Sequence, residues 1–151
     1  MQSIWELLWV SVVAGVIGTT GMTVFLWIIT KLDVVHVDMV RAIGSMFTKS
    51  LESATGVGLI AHYITGIILA FFYVLILSII DISNVFQAVV ISSTIGFIHG
   101  FIVSFMLVVA VGEHHPLEQF RQPGLTVAVG HYAGHLVYGF LVGLAAGIMM
   151  A

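Results

Sequence analysis

The fold class this sequence predicts is all-α and polytopic: a bundle of four transmembrane helices with an interfacial amphipathic helix between spans one and two. Three observations predict it. Of the 151 residues, 60% are hydrophobic and only 7% charged, against roughly a quarter charged in soluble chains. The few charges (Glu6, Lys31, Asp33, Asp38, Arg41, Lys49, Glu52, Asp81, Glu113, Glu118 and Arg121) leave four uncharged stretches, Leu7 to Thr30, Ser53 to Ile80, Ile82 to Gly112 and Gln122 to Ala151. Each exceeds the ~20 residues that carry a helix across the hydrocarbon core. Finally, the polar segments between these stretches alternate in character, as the two faces of a membrane do.

Residues 1–151 read as a single transmembrane domain with spans at about 4–30, 56–80, 85–111 and 125–150. Span one crosses from side A, which holds the N-terminus, to side B. Its length and the acidic flank at Glu6 set it apart from a cleaved signal peptide, and Trp5, Trp9 and Trp27 near its ends are interfacial anchors. Lys31 to Thr55 lies on side B. There Asp38 is placed to cap a helix whose apolar residues Met39, Ile43, Met46, Phe47 and Leu51 recur at helical spacing, as in a helix lying on the bilayer surface. Span two returns to side A, and the short turn Asp81-Ile82-Ser83-Asn84 makes spans two and three an antiparallel hairpin. Gly112 to Gly124 is a second side B loop with both prolines, and span four ends on side A.

All four basic residues, Lys31, Arg41, Lys49 and Arg121, fall in the side B segments. The positive-inside rule then places side B in the cytoplasm and both termini outside. Four Lys and Arg against seven Asp and Glu leave no basic surface for nucleic acid. The absence of cysteine excludes disulfides, iron–sulfur clusters and thiolate zinc sites. No Ser–His–Asp set and no intramembrane carboxylate is present, so hydrolysis is not expected and no catalytic residue is assigned.

Glycines at small-xxx-small spacing, Gly15, Gly18 and Gly21 in span one, Gly96 and Gly100 in span three, and Gly130, Gly134, Gly139, Gly143 and Gly147 in span four, predict close helix packing. Five on one helix exceed what one neighbour needs, which offers the surplus face to another subunit, a second copy or a flat ligand.

Seven histidines in so apolar a chain carry the functional signal. His62, His99, His131 and His135 lie inside spans, at depths of roughly 8 to 18 Å from side B by helix rise. Intramembrane ionisable residues are expensive and mark function by default. His131 and His135 share one helix face with Tyr138; His62 shares one with Thr65, Gly66, Leu69 and Tyr73, and His99 one with Ser92, Gly96, Val103 and Met106. If these faces meet, four imidazoles from three helices form a cofactor or metal site of the kind bundles build. One version is a b-type haem with axial His62 and His131, or His99 and His135, with Gly66 and Gly134 leaving room for the ring and Arg41, Lys49 or Arg121 meeting the propionates. The other is a non-haem iron, copper or zinc ion on His62, His131 and His135 with His99 in support. His36, Asp38, Glu113, His114 and His115 form a possible second, surface metal set.

The runs Gly96-Phe97-Ile98-His99-Gly100, Glu113-His114-His115-Pro116 and His131-Tyr132-Ala133-Gly134-His135-Leu136-Val137-Tyr138-Gly139, with Gly18-Thr19-Thr20-Gly21-Met22 and Asp38-Met39, resemble a group of uncharacterised small four-span prokaryotic membrane proteins with intramembrane histidines. The resemblance implies the four-span architecture in a prokaryotic cytoplasmic membrane and no particular activity. The reading of the residues is a small integral membrane subunit that binds one metal centre and supports redox or electron transfer in a larger complex. The alternatives are a histidine-lined proton or metal-ion conduit and a purely structural accessory subunit.

Overall fold

The computed structural model describes residues 3–150, and within them the side chains of all but 107, 108, 110 and 111. Five helices run in order: α1 (Ile4–Lys31), α2 (Met39–Thr48), α3 (Ala54–Ile80), α4 (Val85–His114) and α5 (Leu125–Met150), with a 3-10 turn at Glu118–Phe120. No strand occurs among the described residues. Helices α1, α3, α4 and α5 are long and apolar enough to cross a membrane, and large apolar side chains such as Trp9, Ile68, Phe97 and Phe101 face outward, where lipid replaces a core.

Local chemistry sets the ends. Ser3 and Glu6 form a reciprocal capping box on α1, Asp38 accepts from the Arg41 amide to start α2, and Asn84 Oδ1 accepts from the Gln87 amide to start α4; each satisfies a donor the first turn leaves unpaired. Asp33, Lys49 and Asp81 take left-handed backbone conformations where α1, α2 and α3 end. Beyond α1, the Thr30 hydroxyl donates to the Val35 carbonyl and accepts from the Val37 amide, which holds residues 33–37 against the helix end as a strap.

Helix α5 packs mainly on α4 and on α1, and α3 packs on α1 and α2. The α3–α4 hairpin is antiparallel in the chain, yet the two helices make few contacts along their lengths. The bundle is therefore close on three sides and open along the seam between α3 and the α4–α5 pair. Glycine explains the close sides. A Cβ on Gly15 would lie 2.7 Å from the Ile67 Cα of α3, and one on Gly139 2.7 Å from the Ser92 carbonyl oxygen of α4.

The expected surplus glycine face of α5 is used within the chain. Gly139, Gly143 and Gly147 meet α4, Gly134 meets Met22 and Leu26 of α1, and Gly130 meets Val35 and Val37 of the strap. Three neighbours, α4, α1 and the strap, account for all five. Helix α2 likewise does more than lie on the bilayer: Gly44 and Gly58 let it cross the start of α3 with backbone against backbone, while Met46 and Phe47 remain exposed as an apolar edge suited to the interface.

Candidate intramembrane histidine site

Large rings fill the open seam. His62 of α3 and His131 and His135 of α5 are buried, as are Tyr73 of α3 and Tyr138 of α5, and His99 of α4 is half-buried. The His131 and His135 rings meet edge to face at 4.8 Å between centroids, and His135 meets His99 the same way at 4.6 Å. His62 is buried on the α3 face that also carries Tyr73, and Tyr73 meets both His99 and Tyr138 edge to face. The three faces read from the sequence do converge.

The two tyrosines lock this arrangement from the side A end. Tyr73 Oη is hydrogen-bonded to His99 Nδ1 at 2.6 Å, with the Ile95 carbonyl 3.3 Å from the same nitrogen. The Tyr138 hydroxyl donates to the Gly66 carbonyl at 2.6 Å, and the tyrosine rings pack edge to face at 5.8 Å. Tyr73 stood on the His62 face in the sequence, but its bond to His99 on another helix had no sequence signal.

Five buried imidazole nitrogens find no partner among the described residues: His62 Nε2, His99 Nε2, His131 Nε2 and both nitrogens of His135. An unpaired buried polar atom costs roughly 1–3 kcal/mol, so one protein holding five in one cluster is unusual. Towards side A the cluster is closed by an apolar layer in which Val74, Leu77, Ala88, Val142 and Ala146 are wholly buried. Towards side B, a cavity of about 310 Å³ between the strap, α2, the α4–α5 loop and α5 is lined at depth by His131. Its mouth carries His36, Asp38, Gln119 and Gln122; the glutamines were not singled out in the sequence, where only their position beside Pro123 and the 3-10 turn could have marked them.

The surface set separates. His36 is exposed beside Asp33, 3.5 Å away, and Asp38 is engaged as the α2 cap and in an ion pair with Arg41. Glu113 and His114 are exposed, 3.9 Å apart. His115 is 1% exposed and ties the loop to α2: its Nε2 is 3.0 Å from the Ala42 carbonyl, and its Nδ1 accepts from the Leu117 amide at 3.0 Å. These five residues do not form one metal cluster, because burial of His115 faces it into the α2 contact and away from Glu113 and His114.

The haem expectation meets a packing difficulty. Gly66 is filled by the Thr19 side chain, and Gly134 by Met22 and Leu26, so neither leaves room for a ring. His99 and His135 touch directly, with no slot for a macrocycle between them. Of the expected propionate partners, Arg41 pairs with Asp38 and Arg121 donates to the His115 and Pro116 carbonyls. Neither the two glycines nor the His99–His135 pair makes a slot for a haem. As the side chains stand, no three His, Asp or Glu groups among the described residues close into a metal-ligand set; the imidazoles meet in pairs. Comparison with known proteins returns no match to a family, to a curated protein or to a solved structure.

Proposed function

We propose that the chain is a small integral membrane protein that binds one non-haem transition-metal ion through His62, His131 and His135, with His99 in support. The observation that carries this reading is the convergence of five unpartnered imidazole nitrogens from three helices. Imidazole without thiolate or carboxylate suits iron, copper or zinc. Two imidazoles on one tetrahedral ion, at a metal–nitrogen length of ~2.0–2.1 Å, place their ring centres about 5 Å apart, and the two ring contacts at 4.6 and 4.8 Å are close to that spacing. The reading asks the rings to turn about their side-chain torsions onto a shared ion. At His99, an Nδ1–H shared between the Ile95 carbonyl and Tyr73 Oη leaves Nε2 free, which is how a ligating histidine is held by its outer partners.

A conduit is the weaker reading because the cluster ends blindly: buried apolar side chains close it towards side A, and only the short hydroxyls of Ser11 and Ser92 are buried beyond it among the described residues. A site open to one face binds and does not conduct. With all the basic residues on side B, that face is cytoplasmic in this reading, and the bound ion, of one- or two-electron chemistry if iron or copper, would serve partner membrane subunits.

The test is metal binding by the purified, chelator-stripped full chain in detergent. One ion of Co(II) or Cu(II) per chain, lost in His131→Ala and His135→Ala and weakened in His99→Ala, supports the proposal. Absence of stoichiometric uptake, or equal uptake in all three variants, overturns it.

A further inference from the structure

The cavity on side B has a feature that its surroundings do not need. Its walls include Val37, Phe120 and Val127, its mouth is lined by the exposed His36, Gln119 and Gln122, and His131, buried and with Nε2 unpartnered, lines its inner end. A second cavity of about 370 Å³ lies on the other side of the same strap, sharing His36 to Met39, but it runs between α1 and α3 to Leu26 and Leu59 and reaches none of the four intramembrane histidines.

We propose that the first cavity is the route by which a divalent metal ion reaches the imidazole cluster from side B. This rests on the metal-binding reading above and adds to it a direction and a path. The mouth supplies amide oxygens and an imidazole, and its one carboxylate, Asp38, is already paired with Arg41 and caps α2, so these groups exchange with the hydration shell of a divalent ion without holding it firmly. The apolar walls offer no competing ligand, so the first strong donor is His131, which then shares contact with His135 and, through it, His99. The loop is fixed over this path by His115 on α2 and by Arg121 on the His115 carbonyl. The mouth is thus a built opening, held by hydrogen bonds on both of its sides.

The native chain has no cysteine, so single thiols can be placed cleanly. Gln122→Cys puts one at the mouth of the first cavity and Thr55→Cys one at the second. Each full-length variant is purified, stripped, and mixed with Co(II), and uptake is followed by the visible absorption of the imidazole-bound ion. The measurement is repeated after attaching a bulky disulfide-linked reagent to the folded protein, and again after removing the reagent with a phosphine reductant. The expected result is that modification of Gln122→Cys slows Co(II) uptake by at least an order of magnitude, that reduction restores it, and that modification of Thr55→Cys changes nothing. Uptake as fast with the reagent on Gln122→Cys as without it overturns the route. Failure of the unmodified native chain to take up Co(II) is a different outcome, visible before any reagent is added, and removes the metal reading and the route together.

Discussion

Replacing His135 by leucine gives opposite signs for stability and for binding. In the metal-free protein the His135 imidazole is buried, and neither ring nitrogen has a partner. In its neutral form that is one donor and one acceptor, each costing roughly 1–3 kcal/mol when left unpaired. Against this stand two edge-to-face ring contacts, with His131 and His99, worth ~0.5–1.5 kcal/mol each. Leucine fills a comparable volume, so no large cavity opens. The metal-free His135→Leu protein should therefore be more stable than the native one by about 1–3 kcal/mol. Metal reverses the comparison: at a free concentration of 100 times Kd the native chain gains ≈ 2.7 kcal/mol and the variant gains nothing. Reversible unfolding by SDS in mixed micelles, followed by the fluorescence of Trp5, Trp9 and Trp27 with and without Co(II), measures both quantities. If metal-free His135→Leu is less stable than the native chain, the two nitrogens do have partners and the premise fails. If the variant keeps the metal-induced gain, His135 is not a ligand.

Three further outcomes follow from the packing. Tyr73→Phe removes the bond to His99 and should cost about 0.6 and at most about 1.7 kcal/mol of bundle stability, while metal affinity drops roughly 10–100-fold through loss of an outer partner; isothermal titration reads the second and unfolding the first. Gly44→Ala drives a Cβ into the Ala54 carbonyl and should destabilise by about 1–3 kcal/mol, whereas Gly56→Ala, whose Cβ meets nothing within 4 Å, should be neutral or stabilise by up to ~1 kcal/mol; equal melting of the pair would contradict the α2–α3 crossing. His115→Ala should free the loop from α2, so that a thiol at Gln119 reacts faster with a membrane-impermeant reagent while one ion per chain is still bound; unchanged reactivity would remove the clamp.

Hydropathy and charge alone determined the four spans and their order, because a segment in hydrocarbon has to be apolar and has to satisfy its backbone internally. The sharing of one face by His131, His135 and Tyr138 was likewise legible, being a consequence of the helical repeat. Which helices touch was not. The short Asp81–Asn84 turn makes α3 and α4 an antiparallel hairpin but does not say how closely they pack; the tertiary structure sets α4 on α5, because Gly139 and Gly143 admit the α4 backbone while Tyr73, His99 and Tyr138 keep the α3 side apart. Gly66 and Gly134, read as space for a ring, turned out to be occupied by Thr19, Met22 and Leu26, since a glycine records that something comes close and not what it is. His115 looked like its neighbour His114 in the sequence; only the crossing of α2 over α3 decided that one is buried against Ala42 and the other is exposed. Sequence periodicity fixes directions around a single helix, and the contacts between helices depend on the summed shape of both surfaces, which no one segment encodes.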